Sequence, residues 1–222
     1  MLLISVDLLF VLVHIVRLST GFPNDPRFSI SLDRGYAEVF QYVQTFWVVG
    51  MLFWLGIRNR QALFLAWMLL FGYVLLDDSW QLHERLGRWL ATRLTFPSMF
   101  GLRPIDLGEL TVLAVAGSSL VLMISIAYFL SSEQAKQIGR RLAVMLGLFI
   151  VFGVVVDAIH SMTLGHTGAG IAGLLEDGGE MFVMSMICGY VFTLLQPSEQ
   201  TRGIAAQNTV DEVQGLPKGI LR

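Results

Sequence analysis

The chain has 222 residues, 55% hydrophobic and 14% charged, with a formal net charge of −2. Apolar content at that level, arranged in runs of membrane-spanning length, excludes an ordinary soluble domain, and the mixed, near-neutral charge excludes a basic nucleic-acid surface. A single cysteine, Cys188, excludes an intrachain disulfide, a CxxC redox pair and a thiolate metal cage.

The expected fold is all-α: a polytopic transmembrane helix bundle of about six spans in three hairpins. It forms one domain over residues 1–195, followed by a polar tail, 196–222, that is expected to be disordered. The first span is predicted over about Leu2 to Leu18. It lacks the basic region of a signal peptide and carries Asp7 inside its apolar run, so it reads as a retained helix. Asp7 and His14 fall on one face, which should point into the bundle. Pro23-Asn24-Asp25-Pro26 marks a turn before the second span, about Tyr36 to Ile57, which opens with Glu38 and continues as a polar stripe of Gln41, Tyr42 and Thr45.

The third span, about Ala62 to Trp80, delivers Asp77-Asp78-Ser79-Trp80-Gln81-Leu82-His83-Glu84, three carboxylates and an imidazole at the end of an apolar run. On a continuing helix, Asp77, Gln81 and Glu84 would share a face. Arg85 to Leu94 mixes basic, apolar and aromatic residues as an interfacial helix does. Asp106-Leu107-Gly108-Glu109 leads into the fourth span, which ends near Leu130. A short basic loop precedes the fifth, about Leu142 to Leu164, with Asp157 and His160. The glycine-rich turn from Gly165 to Gly173 holds His166 but lacks the lysine of a phosphate loop. The sixth span, from about Ile171, carries Glu176-Asp177-Gly178-Gly179-Glu180. The two glycines are expected to permit close helix approach or a local distortion.

The three hairpins share an order: a histidine late in the outgoing helix, then an acidic-glycine-glutamate signature at the start of the return helix. The copies are His14 with Asp33-Arg34-Gly35 and Glu38; His83 with Asp106, Gly108 and Glu109; and His160 with Asp177, Gly178 and Glu180. Spans that alternate in direction would bring these residues to one face of the membrane. Arg58, Arg60, Lys136, Arg140 and Arg141 would lie on the other, which by the positive-inside rule places the acidic face outside the cytoplasm.

Carboxylates crowded into a partly desolvated space need countercharge, and a divalent metal supplies it compactly. Oxygen and imidazole donors without thiolate suit zinc, iron or manganese. The expected metal ligands are His83, Glu109, His160, Glu176 and Glu180, with Asp157 and Glu84 as catalytic candidates. Asp157-Ala158-Ile159-His160 has the acid-x-x-His spacing of bundle-core carboxylate sites, so two metals are as open as one. Asp33 and Asp106 are expected as helix N-caps, and His14 and His166 as interfacial histidines rather than ligands.

The run of Asp77-Asp78, then His83-Glu84, then Glu176-Asp177-Gly178-Gly179-Glu180 resembles bacterial polytopic membrane proteins of unassigned function, from the second span onward. The resemblance implies a bacterial inner membrane and no activity. A more distant similarity is to membrane hydrolases related to alkaline ceramidases, which bind zinc through histidines with aspartate and serine nearby. Asp157, His160 and Ser161 would be the matching positions, but the paired histidines at HxxxH spacing are absent, since His160 and His166 are six apart. That assignment is not carried over.

The functional expectation is an integral-membrane metalloprotein, a metal-dependent hydrolase or di-metal oxidase acting on a lipid or other membrane-soluble substrate. The alternative is a cation or proton transporter or sensor with an acidic vestibule. Haem ligation fits a crowd of carboxylates poorly. A retinal site is excluded, because Lys136 and Lys218 are the only lysines and neither falls in a predicted span.

Overall fold

Without water to bond to, a spanning backbone must satisfy its own amides, and a run of this length does so as a helix. The computed structural model describes residues 2–94, 103–156 and 169–196, and these are helical, with no strand among them. Among the described residues seven α-helices follow one another: α1 (Leu2–Thr20), α2 (Tyr36–Asn59), α3 (Ala62–Trp80), α4 (Leu82–Arg93), α5 (Pro104–Phe129), α6 (Glu133–Ile150) and α7 (Ala169–Leu195). A π-helical segment, Val151–Val156, continues α6. The predicted tail from Pro197 onward lies outside the described residues.

Five helices, α1, α2, α3, α5 and α7, are long and apolar enough to cross a membrane. Burial supports that reading in an inverted way. In α1 the buried side chains are Asp7 and His14, while Leu8, Leu9 and Leu12 are exposed. In water such a helix would be inside out; in lipid it hides its polar groups and offers its apolar ones to acyl chains. α5 goes further, burying only Gly108 and Ala127.

α2, α3 and α7 form the centre. Val48, Leu52, Leu63, Phe64, Trp67, Phe71, Ile187 and Val191 interlock there, with Leu142 of α6 against them. Lipid tails are as apolar as these side chains, so their gain comes from close packing more than from leaving water. Gly139 lets α6 approach Leu63 and Trp67, and Gly179 makes room for the Phe152 ring. The close approach expected of the Gly178-Gly179 pair thus belongs to Gly179. A side chain at Gly178 would meet only ordinary contact with Val11.

Two boundaries differ from expectation. The predicted fifth span begins at Leu142, whereas α6 begins at Glu133, because the Ser132 hydroxyl accepts the Ala135 N–H at 3.4 Å and caps the helix there. The charged first turns this adds leave α6 by itself less apolar than the five, but the π-helical segment carries it on from the Gln61 end of the bundle to Glu180 at the other, so it alternates in direction with its neighbours. The third span does not run through Gln81 as one helix. Gln81 adopts φ 52°, ψ 50°, a left-handed conformation that ends α3 and restarts the chain as α4.

At the end of the bundle away from that break, the Ser132 N–H reaches Gln61 Oε1 at 3.2 Å. This joins the α2–α3 and α5–α6 loops on one side, as alternating spans require. Glu133, beside the second loop at the start of α6, is held below its ordinary range by its hydrogen bond to Lys136 and by that residue's charge.

Candidate functional site

The site forms where the start of α2, the end of α3, the start of α4 and the first half of α7 meet. At the start of α2, the Glu38 carboxylate accepts from the Arg34 backbone N–H and from the Tyr42 hydroxyl. That hydroxyl also lies 3.2 Å from the Asp78 carbonyl, which ties the first turns of α2 to the last turn of α3.

The left-handed turn at Gln81 folds α4 back over the end of α3. As a result Asp77, which is buried, accepts the His83 backbone N–H at 2.8 Å with one oxygen and meets His83 Nδ1 at 2.8 Å with the other. A carboxylate at Nδ1 draws the imidazole proton there, and in the neutral ring it leaves the Nε2 lone pair available as a base or ligand.

These elements enclose a cavity of about 250 Å³. Asp33, Glu38, Asp77, Asp78, Glu84, Asp177 and Glu180 line it, with His83, Gln41 and Gln81. No lysine or arginine is among the described lining residues. Glu180 Oε1 occupies the space that a Gly153 side chain would take, so the π-helical segment lies directly behind that carboxylate.

Of the predicted site residues, His83, Glu84 and Glu180 are brought together here. Glu84 divides itself between the cavity and an ion pair with Arg88 at 3.1 Å. Glu109 is not in the cavity lining. Its Cγ packs at the crossing of α4 and α5, where a side chain on Gly87 would come within 2.5 Å of it. The physical reason is α4 itself, an intervening helix that displaces the start of α5 sideways. Glu176, one turn before Glu180 on α7, is likewise not among the lining residues. Asp157, His160, Ser161 and His166 lie outside the described residues. Among the described residues, no three His, Cys, Asp or Glu side chains converge closely enough to hold a metal ion as they stand.

Asp33 was expected as a cap, yet the N-cap of α2 is Gly35 and Asp33 faces the cavity. Asp106 does serve its helix end, accepting the Arg103 N–H at 2.9 Å and pairing with its guanidinium at 2.8 Å. That hydrogen bond raises the Arg103 pKa. His14 is buried, with Nδ1 3.3 Å from both Ser29 Oγ and the Ile30 N–H, and so holds the loop that forms the cavity's rim.

In the sequence Glu38, Asp78 and Asp177 belong to the acidic face without standing out as site residues, and Gln44 does not stand out at all. The signal was present in α2, where Glu38, Gln41, Gln44 and Thr45 recur at helical spacing, and the last three are buried in the structure.

Compared with known protein families, the chain matches the model described as "Domain of unknown function (DUF8692)" over residues 3–194, and it belongs to that family. No curated protein and no solved structure matches it. The ceramidase-like similarity therefore gains no support.

Proposed function

We propose that this DUF8692 protein takes up an exchangeable divalent cation in the acidic pocket at one face of the membrane, as a transporter or sensor does. The observation that carries the reading is the cavity of about 250 Å³ with seven carboxylates, one imidazole and no lysine or arginine among its described lining residues. Such a wall repels itself, and a divalent cation is the most compact countercharge. Oxygen donors with one imidazole suit manganese, iron or zinc, and His83, steadied from behind by Asp77, has the arrangement of a metal-ligating histidine.

The spacing of the donors favours exchange over permanent residence. They surround the cavity without converging, so a cation must draw flexible carboxylates inward, and that reorganisation weakens the hold. The second reading is a metal-dependent enzyme acting on a membrane-soluble substrate. It is supported by the same Asp77–His83 pair, which would leave Nε2 positioned as a base toward bound water. It shares the cation and differs in having a turnover. On either reading the basic residues at the opposite end, Arg58, Arg60, Lys136 and Arg140, favour an acidic face outside the cytoplasm.

The test is a Mn2+ titration of detergent-purified protein, reading the loss of the sharp paramagnetic resonance signal of free hydrated Mn2+. The wild type is expected to bind, and the Glu38→Gln/Glu180→Gln double variant to bind about tenfold or more weakly, since charge count sets affinity at oxygen sites. Absence of binding, or equal binding by both proteins, refutes the proposal.

A further inference from the structure

Deeper in the bundle lies a second polar group that the acidic pocket does not account for. Asp7 of α1, Gln44 of α2 and Ser185 of α7 are 2%, 0% and 3% exposed. Gln44 Nε2 donates to Ser185 Oγ at 2.7 Å. The Asp7 carboxylate faces both residues. Yet neither Asp7 oxygen, nor Gln44 Oε1, meets a hydrogen-bond donor. Among the described residues, no lysine, arginine or histidine pairs with Asp7.

Three buried oxygens that neither the Ser185 hydroxyl nor the Gln44 amide reaches in hydrogen-bond geometry are costly unless something positive sits among them. We infer that Asp7, Gln44 Oε1 and Ser185 Oγ form an interior site for a monovalent cation of sodium size. One carboxylate neutralises one positive charge, whereas a divalent ion would leave an uncompensated charge in the bundle interior. A proton serves one or two of these oxygens at short range, whereas a hard cation draws both Asp7 oxygens and Gln44 Oε1 around one charge, with the Ser185 oxygen as a fourth.

The surroundings give the site a direction of access. Gln44 lies two helical steps inward from Glu38, about 9 Å along the α2 axis, and Ser185 about 7.5 Å inward from Glu180 along α7. Gln41, between these levels, lines the acidic pocket and faces the Glu180 carboxylate. On the far side, Ser185 borders a groove of about 910 Å³ lined by apolar residues such as Leu3, Phe46, Met51 and Cys188. A cation therefore has polar steps toward the pocket and none toward the groove. The site is the inner end of that route.

The test needs no divalent ion and so stands apart from the pocket's own. Thermal unfolding of the detergent-purified chain is followed as NaCl replaces choline chloride at constant ionic strength and pH. The wild type should gain melting temperature with Na+. Asp7→Asn should lose the response while keeping its fold, because the new amide can donate to Gln44 Oε1. Ser185→Ala should raise the half-saturating Na+ concentration about tenfold, which keeps the test decisive if Asp7→Asn folds poorly. Glu38→Gln/Glu180→Gln should respond to Na+ as the wild type does, even if it has lost Mn2+. An unchanged response in both Asp7→Asn and Ser185→Ala overturns the site, as does a wild type indifferent to Na+ or stabilised only by added acid.

Discussion

His83 owes its place in the cavity to Asp77, which takes both its backbone N–H and its ring Nδ1. Outer partners of this kind orient a ligating imidazole, and removing them usually costs about 10–100-fold in metal affinity. Asp77→Asn should therefore weaken Mn2+ binding by that order, because an amide cannot draw the ring proton to Nδ1 as a carboxylate does. Glu109→Gln should leave binding unchanged, since that side chain packs at the α4–α5 crossing. Isothermal titration of the two variants checks both outcomes, and a loss confined to Glu109→Gln would return Glu109 to the site. The charged end of the third apolar run was legible from sequence because charge at that position calls for a partner or an ion. Which partner was not, since the Asp77–His83 pair exists only because the chain turns back at Gln81.

That turn also explains why the helices were easier to read than their relations. Gln81 carries no glycine or proline signal, and nothing in the order of residues separates a continuing helix from one that breaks in a left-handed residue. Once α3 ends there, α4 lies across the start of α5, and the two backbones meet at Gly87 and Gly108. A side chain on Gly87 would come within 2.5 Å of the Glu109 backbone nitrogen, which cannot swing aside as a side chain can. Gly87→Ala should cost about 1–3 kcal/mol through overpacking. Gly147→Ala, on α6 with nothing within 4 Å of the new carbon, should be neutral or slightly stabilising. Denaturant unfolding of both variants compares them directly, and equal stabilities would mean that α4 does not pack on α5 as described.

For the molecule as a whole, alternating spans were the strongest inference available, and they carry Glu38, Asp77, Asp78, His83, Asp177 and Glu180 to a single cavity. The repeat across the hairpins is only partly mirrored there: Glu38 and Glu180 line the cavity and Glu109 does not. Local order in the sequence repeats, but the interposed α4 exists in one hairpin only among the described residues, so equivalent positions reach different surroundings. The central claim is that a divalent cation binds in this cavity with His83 as a nitrogen ligand. Electron spin-echo modulation of Mn2+ bound to protein labelled with 15N at histidine reads such a ligand directly. The account predicts a directly coordinated histidine nitrogen in the wild type and in His14→Ala, absent from His83→Ala; bound Mn2+ without any histidine coupling, or coupling that survives in His83→Ala, would contradict it.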